Sequence, residues 1–295
     1  MWGIHFVKPH DKGKDFWKSG RPHMKLSPKE YLAHYKVRHK YANVNGRQTH
    51  WVEYGKGMPL VGLHGLGGAW TDYWSLLPAI KRRRAYLLDL PGCGKTESLP
   101  KNSIKATADW LESWLTMLRL KDITIEAICT SAPIALEYSK RNPDNVKALI
   151  LHMPVLNGNW VDRKIRMLYI VLTKLPSPIH HWMHKSSWFI NHIILRDEEH
   201  AIPESAILDA ENKKSADIRV FTAYFPDVLI KDYLEVYRNF KEKTLVLAMQ
   251  QDSMLPAEKL KMNSSGKKLI IFKNAHSWNK DVIRRQNREI EKFLA

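Results

Sequence analysis

Cysteine is scarce in this sequence. The 295 residues include two cysteines, Cys93 and Cys129. So few cysteines exclude a disulfide framework and are typical of a protein from a reducing compartment. Residues 1–15 lack the apolar core of a signal peptide, and the most apolar later stretch, residues 167–172, is far too short to span a bilayer. We therefore expect a cytoplasmic protein, either free or peripheral to a membrane.

Acidic residues are also few. Asp and Glu number 30 against 47 Lys and Arg, which gives a formal net charge of +17. Such a charge favours anionic partners: a membrane surface, nucleic acid, the phosphates of coenzyme A or an acidic carrier protein. A basic surface that only keeps the protein in solution explains the same charge. Because the sequence has no base-reading motif, we expect no specific nucleic acid partner.

Residues 1–40 form a basic extension with ten Lys and Arg against three Asp and Glu. Ser27, Pro28 and Glu30 have the spacing of a capping box with proline at the first helical position, which predicts a short basic helix over residues 28–39. The tryptophan and phenylalanine residues interleaved with the cations favour an anchor for anionic lipid. A solvated arm that packs loosely on the domain is the alternative, since basic arms are common.

Internal repeats and low-complexity segments are absent. Instead, strand-like runs alternate with helical patterns, which predicts one large α/β domain with a mostly parallel sheet. An Asn45-Gly46 hairpin turn, six strands (48–54, 59–63, 85–90, 146–155, 244–249 and 268–272) and three helices (70–81, 107–118 and 280–294) are expected besides the central strand described next. Residues 157–240, long and mostly helical, are interpreted as a cap inserted between two parts of the core, residues 41–156 and 241–295.

Residues 123–139 are the stretch around which the rest of the chain is interpreted. Their first half is apolar and β-branched, as in a buried strand, and their second half has a helical composition. A strand that turns abruptly into a helix needs small residues beside its apex, and Ala127 and Ser131 are the small residues on either side of Cys129. Glu126 interrupts the apolar half, and a buried carboxylate at that position needs a partner.

Two neighbouring hydroxyl residues are alternative apices of this turn. Ser131 as the apex would place Pro133 where the chain must be tight and a backbone N–H is useful. Thr130 as the apex would place the bulky Ile128 where a small residue is needed. Cys129 alone has a small residue on each side, so it is the preferred apex.

The turn resembles the nucleophile elbow of α/β-hydrolases, in which Gly-x-Ser-x-Gly is usual. Here cysteine takes the nucleophile position and both glycines are replaced. The resemblance covers residues 41–294 and includes a His-Gly loop at 64–68, a turn at 89–96 and the chain order nucleophile, acid, base. The 64–68 loop lacks the Gly-Lys-Ser/Thr of a nucleotide-binding loop, so we expect its backbone N–H groups to point into the site. Each motif alone is weak, whereas the set is specific.

The resemblance implies roles for individual residues. Cys129 is the nucleophile, Asp252 the orienting acid and His276 the general base. The backbone N–H groups of Leu66 and Thr130 form the oxyanion hole. The substrate pocket is expected to include four residues: His64, Gly65, Trp70 and Trp278. The loops that carry these groups should meet, because the carboxyl ends of parallel strands share one crevice.

These features together predict an acyl hydrolase or acyltransferase that acts on an ester or thioester through a covalent acyl-enzyme. The expected substrate is a small acyl compound, presented on coenzyme A or an acidic carrier protein. The alternative is a catalytically inactive protein of the same fold that binds a ligand or serves as a scaffold. We expect no cofactor, and no metal, because His180, His181 and His184 lack carboxylates at metal-binding spacing.

Overall fold

The structure, a computed structural model, describes Leu32 and residues 35–186, 199–200, 203–240, 242–252, 255–273, 277–278 and 280–295. The main sheet has eight strands: β1 (Arg38–Val44), β2 (Arg47–Tyr54), β3 (Pro59–Leu63), β4 (Arg84–Leu88), β5 (Ile123–Ile128), β6 (Val146–His152), β8 (Lys243–Met249) and β9 (Lys268–Phe272). A second sheet has two short strands, β7 (Glu199–His200) and β10 (Ser277–Trp278). The described α-helices are α1 (Leu77–Ile80), α2 (Ile104–Met117), α3 (Ala132–Arg141), α4 (Arg163–Thr173), α5 (Ser177–Lys185), α6 (Pro203–Ser215), α7 (Phe225–Ile230), α8 (Leu234–Asn239), α9 (Ala257–Asn263) and α10 (Lys280–Leu294).

The main sheet is mostly parallel. Its strand order is β1-β2-β4-β3-β5-β6-β8-β9. β2 runs antiparallel to both of its neighbours, and every pair from β4 to β9 is parallel. Parallel strands cannot be joined by hairpins, so each connection crosses over through a longer segment, usually a helix. The predicted fold class, a mostly parallel sheet flanked by helices with an inserted helical segment, is confirmed.

The core lies on the central strands. β3, β5, β6 and β8 are buried along nearly their whole length, as is usual for parallel strands with helices on both faces. The helices pack in pairs, α2 against α3 and α10 against α1. Trp110 and Trp114 of α2 are almost completely buried, so the apolar face expected from the sequence does pack into the core.

Several element boundaries follow the sequence patterns closely. The hairpin turns at Asn45 and Gly46, which both have positive φ angles as a type I′ turn requires. β3, β9 and α10 have the predicted bounds. Helix α2 begins three residues earlier than expected, because Ser103 caps it: the Ser103 Oγ accepts a hydrogen bond of 3.2 Å from the Ala106 N–H.

Three predicted elements are wrong in part. The helix expected over 70–81 is a 3₁₀ turn (Trp70–Ser75) followed by α1, because Pro78 has no N–H to continue a helical ladder. The strand expected over 146–155 ends at His152, since Met153 has a φ of +44°. The strand expected over 85–90 ends at Leu88.

The basic helix expected over 28–39 is also wrong at its end. Arg38 and His39 belong to β1, which pairs with β2. Residues 1–31, which include most of the predicted extension, lie outside the described residues. Among the residues that are described, no helix combines the length and the apolar character needed to traverse a membrane.

Helices α4 to α8 lie between β6 and β8, together with a π-helical turn (Val220–Tyr224). These helices fall in the stretch predicted as a cap, residues 157–240, and that domain division stays a prediction. The π-turn and the short strand β7 were not expected from the sequence. β7 pairs in parallel with β10, with Glu199 opposite Ser277 and His200 opposite Trp278. The inserted segment is therefore tied by backbone hydrogen bonds to the chain directly after position 276.

Candidate active site

Cys129 lies at the apex between β5 and helix α3. β5 ends at Ile128, a 3₁₀ turn covers Cys129–Ser131, and α3 begins at Ala132. Cys129 has a φ of +53°, a left-handed conformation that is strained for a side chain other than glycine. Such strain persists only where the surroundings hold it, and it is the expected geometry of a nucleophile elbow.

Ser131 holds this turn in place. Its Oγ accepts a hydrogen bond of 2.9 Å from the Ile128 N–H and donates to a carbonyl oxygen, either that of Leu63 on β3 at 2.8 Å or that of Ile128 at 2.9 Å. The side chain is fully buried. Its hydroxyl is thus used to bind the backbone of Ile128 just before the apex and that of Leu63 on the neighbouring strand, which agrees with the choice of Cys129 over Ser131.

The His-Gly loop lies directly beside the apex. A Cβ atom added to Gly65 would lie 3.9 Å from the Cβ of Cys129. His64 holds the loop in place. Its Nε2 accepts a 2.9 Å hydrogen bond from the Leu90 N–H, and its Nδ1 donates to the Gly65 carbonyl at 2.8 Å. Burial lowers the pKa of His64, which fits the neutral tautomer that these bonds need. Leu66, the predicted oxyanion donor, follows in the same loop.

The inserted segment covers the elbow. The Tyr224 hydroxyl donates a 2.6 Å hydrogen bond to the carbonyl of Thr130, the residue after the apex. Burial, and then the nearby Cys129 and Cys93, raise the pKa of Tyr224 well above its usual range, so this hydroxyl stays a donor. Phe221 lies over the His-Gly loop, so close that a Cβ at Gly67 would be 2.6 Å from its ring.

Asp252 follows β8, three residues after the strand ends. Its side chain is buried, and its Oδ1 accepts a 3.1 Å hydrogen bond from the Leu255 N–H. His276 and the side chain of Trp278 lie outside the described residues. The chain enters that segment from the carboxyl end of β9, which pairs in parallel with β8. The predicted acid and base therefore follow adjacent parallel strands, and the triad stays a prediction.

A small cavity of about 20 Å³ lies between the His-Gly loop and the turn after β4, and Cys129 is not among its lining residues. Its lining includes His64, Gly65 and Leu66 of the His-Gly loop together with Tyr224. Trp70 is not among the lining residues; its ring packs edge-on against His39 at 5.4 Å between centroids. A cavity of this size has room for about one or two water-sized groups.

Cys93 also lines this cavity, but its thiol is unsuited to act as a nucleophile. Burial, and then the nearby Asp89 and Asp72, raise the pKa of Cys93 well above its usual range. The thiolate is the reactive form of cysteine. Cys93 is therefore a buried residue of the turn after β4.

Glu126 belongs to a buried polar network that the sequence predicted only in part. Glu126 was expected to need a partner, and its Oε1 accepts a 2.7 Å hydrogen bond from Nε2 of His152 on β6. The other ring nitrogen of His152 lies 2.5 Å from Nε2 of Gln286 on α10. All three side chains are almost completely buried. The network connects β5 to helix α10, which follows position 276, and His152 gave no signal in the sequence.

The described residues contain no group of three or more His, Cys, Asp and Glu side chains arranged to hold a metal ion. Within that part of the chain, the strained cysteine lies beside the His-Gly loop and the Thr130 peptide, and the predicted acid Asp252 follows β8. These are the parts that acyl transfer through a covalent intermediate needs, apart from the base.

Comparison with known proteins gives the same fold. A family model described as the alpha/beta hydrolase fold matches residues 58–172. A haloalkane dehalogenase of Agrobacterium fabrum is 32% identical over 120 residues, which are 38% of this chain and 38% of that protein. The (E)-2-((N-methylformamido)methylene)succinate hydrolase of Acinetobacter baylyi is 31% identical over 121 residues, 39% of this chain and 43% of that protein. The matches thus span less than half of the length of either curated relative.

A solved structure extends the likeness to nearly the whole chain. The bromoperoxidase of Bacillus anthracis superposes with a TM-score of 0.73 over 87% of this chain and 99% of that chain, at 15% sequence identity. Identity this low shows the fold alone. Together with the sheet order already described, this likeness shows that the chain has the α/β-hydrolase fold, as the resemblance implied. The cysteine nucleophile stays a prediction.

Proposed function

We propose that this protein is an acyl hydrolase or acyltransferase that cleaves an ester or thioester through a Cys129–His276–Asp252 triad. The observation that carries the proposal is the backbone of Cys129: a φ of +53° directly beside the His-Gly loop. That conformation exposes a nucleophile to backbone donors on both sides. The hydrolase name of one relative, the succinate hydrolase of Acinetobacter baylyi, and the shared fold support the same class.

The proposed reaction has two steps. His276 takes the proton of the Cys129 thiol as Sγ attacks the acyl carbonyl, and the leaving alcohol or thiol departs with that proton. The backbone N–H groups of Leu66 and Thr130 stabilise the oxyanion, and Asp252 orients the imidazole. The resulting thioester of Cys129 is then cleaved by water or by another acceptor, which releases the acid or the transferred acyl group and restores the thiol.

We further propose that the acyl group arrives on an anionic carrier, coenzyme A or an acidic protein. The formal charge of +17 supports this partner, because a field of one sign steers oppositely charged ligands. The test is to compare an acyl-coenzyme A with the same acyl group on a neutral thiol. The KM for the coenzyme A ester should rise with ionic strength while that of the neutral thioester stays constant. Equal salt dependence of both substrates would remove the support.

The experiment that tests the nucleophile is intact-protein mass spectrometry after reaction with an activated acyl ester and an acid quench. The acyl mass should appear on Cys129, persist in Cys93→Ser and be lost in Cys129→Ala. An adduct on Cys93, or undiminished turnover by Cys129→Ala, would overturn the assignment. Absence of both adduct and turnover across a panel of acyl esters would favour the alternative, a ligand-binding or scaffold protein of this fold.

A further inference from the structure

Exposed apolar side chains are unevenly distributed over the described part of the chain. Eleven large apolar side chains are exposed there, and six of them lie on the three helices α4, α5 and α6: Met167, Ile170, Val171, Ile179, Trp182 and Ile207. A concentration of this kind marks a surface that meets an apolar partner, whereas single exposed apolar residues need no explanation.

Helix α4 presents one of these faces outward. Lys164, Met167 and Val171 recur at i, i+3 and i+7, so they share a face of the helix. Met167 is 50% exposed and Val171 53% exposed. On the other side of the helix, Tyr169 is buried and packs edge-on against Phe225 of α7, with 4.5 Å between ring centroids. The inner face of α4 is therefore packed against α7, and the outer face is apolar with the cation Lys164 near one end.

Helix α5 repeats the arrangement. Ile179 and Trp182, at i and i+3, are both exposed, and Trp182 is 67% exposed. Lys185 at the end of the helix is exposed as well, and its Nζ donates to the Lys214 carbonyl of α6 at 2.7 Å. Helix α5 is thus packed on α6 by one side while its tryptophan points to solvent. An exposed tryptophan next to lysines is typical of a segment at a membrane interface.

The Lys and Arg side chains of α4, α5 and the chain between them are not balanced by acidic residues. Residues 163–185 contain no Asp or Glu and five Lys and Arg: Arg163, Lys164, Arg166, Lys174 and Lys185. Lysine stems can lie along an apolar surface while the ammonium groups reach outward. Apolar groups that enter the interface and cations that meet head groups are the two components of binding to an anionic bilayer.

We propose that α4 and α5 dock the protein onto an anionic lipid bilayer through a cap surface formed by Lys164, Met167, Val171, Ile179 and Trp182. An acidic protein or a second copy of the chain would meet the same apolar groups, but the absence of any acidic residue over 163–185 favours an extended anionic surface. The inference goes beyond the proposed acyl transfer and does not rest on it, since it concerns binding alone.

The test is co-sedimentation of the full chain with vesicles of phosphatidylcholine, with and without roughly 30% phosphatidylglycerol. Binding should need the anionic lipid and weaken as salt rises. The triple variant Met167→Ser, Val171→Ser, Trp182→Ser should partition at least about tenfold more weakly. The matched control is Met262→Ser on α9, because Met262 is 83% exposed but lies outside the cap surface; it should bind like the wild type. Since every substituted side chain is exposed, all variants should fold.

A pair of charge variants tests the position of the cations. Lys164→Glu with Lys174→Glu should weaken binding by about tenfold, whereas Lys121→Glu with Lys140→Glu, equal in net charge and exposed elsewhere, should have a much smaller effect. Equal losses of binding in both charge pairs would overturn the proposal, and so would unchanged binding by the cap variants. It would also be overturned if the wild type does not bind vesicles but forms an oligomer that the triple variant does not form. Cys129→Ala should bind vesicles normally, so failure of the proposed chemistry can be told apart from failure of docking.

Discussion

Strands β4 and β5 carry similar buried pairs of a carboxylate and a histidine, but the two pairs hold different parts of the molecule. Each brings a buried carboxylate within 2.7 Å of a buried histidine on the neighbouring strand: Asp89 with His50 of β2, and Glu126 with His152 of β6. Buried carboxylates are rare unless paired. The two pairs differ in position, because Asp89 comes just after its strand whereas Glu126 lies inside its strand.

The difference in position decides what each carboxylate holds. Asp89 accepts backbone hydrogen bonds from Trp70 at 2.8 Å and Lys95 at 2.9 Å besides that from its histidine, so both of its oxygens are used. It therefore fastens the 3₁₀ turn that begins at Trp70 to the turn after β4. Glu126 uses one oxygen, while its Oε2 has no hydrogen-bond partner among the described residues. Through its histidine it leads instead to Gln286 of α10.

The turns after these strands each carry a buried cysteine, and the two cysteines differ in backbone conformation. Cys93 lies between Gly92 and Gly94, and those glycines take the positive φ angles. Cys129 itself has the positive φ and lies beside the His-Gly loop. The same residue type is thus a filler in one turn and the apex of the other, and the backbone makes the difference.

The two cysteines should differ most in their contribution to turnover. Cys129→Ala should lower turnover of an activated acyl ester by at least about 1000-fold, because the covalent step is lost. Cys93→Ala should change it by less than about threefold, since that thiol is buried with a raised pKa. Steady-state rates of the two variants, measured side by side, check both values. Comparable losses in the two variants would show that the turns are not distinct.

The carboxylates should differ next, in the free energy of unfolding. Both Asp89 oxygens accept hydrogen bonds from backbone N–H groups, so Asp89→Asn makes an NH₂ group face one of these donors. We therefore expect the free energy of unfolding to fall by about 2–4 kcal/mol. Glu126→Gln can keep the oxygen that faces His152 and place its NH₂ where no hydrogen bond exists, so we expect about 1 kcal/mol or less. Urea unfolding of both isosteric variants measures the gap. An equal loss would mean that Glu126 holds more than the described contacts.

Much of this arrangement was predictable from local sequence. Small residues on both sides of Cys129 identified the apex, because crowding at a strand-to-helix turn is a local constraint, and the structure gives that residue the strained φ. The bounds of β3, β9 and α10 were also predictable, since their hydrophobic periodicity is strong.

Features that depend on strand register were not predictable. His152 meets Glu126 only because β6 pairs with β5 in a register that sets His152 opposite Ile128, and no sequence pattern encodes that partner. The same holds for the end of β4: the Leu90 N–H bonds to His64 rather than continuing the sheet. Tertiary partners of backbone groups override local strand preference at these points.

Ser131→Ala tests how the turn after β5 is stabilised. The change removes the hydroxyl that bonds the backbone of Ile128 and Leu63, so we expect a loss of about 1–3 kcal/mol in the free energy of unfolding. The matched control is Ser139→Ala in α3, which loses a single 2.7 Å bond to the Ala135 carbonyl and should cost less than about 1 kcal/mol. Acylation of Cys129 should survive in both variants. Loss of the adduct in a folded Ser131→Ala protein would reopen the choice of nucleophile.

Asp217 of the inserted segment contacts the turn after β4. Asp217, in the inserted segment, donates its N–H to the Gly92 carbonyl at 2.6 Å and accepts from the Ser98 hydroxyl at 2.6 Å. Hydrogen bonds from Arg219 outweigh burial and hold the pKa of Asp217 well below its usual range. A depressed pKa stabilises the folded state above the unfolded-state pKa of about 4, and this contribution is lost as the pH falls toward the folded value.

Asp217→Asn should therefore lower the free energy of unfolding by roughly 0.5–1 kcal/mol at pH 7, and the gap to the wild type should shrink below about pH 4. Unfolding at pH 7 and pH 3 measures the change. Because Asp217 lies over the turn that carries Cys93, local opening should also become more frequent, so a thiol reagent should modify Cys93 faster in this variant while the rate at Cys129 stays constant. Faster modification of both cysteines would mean that the segment opens over the whole site, and that the two turns share one lid rather than being held separately.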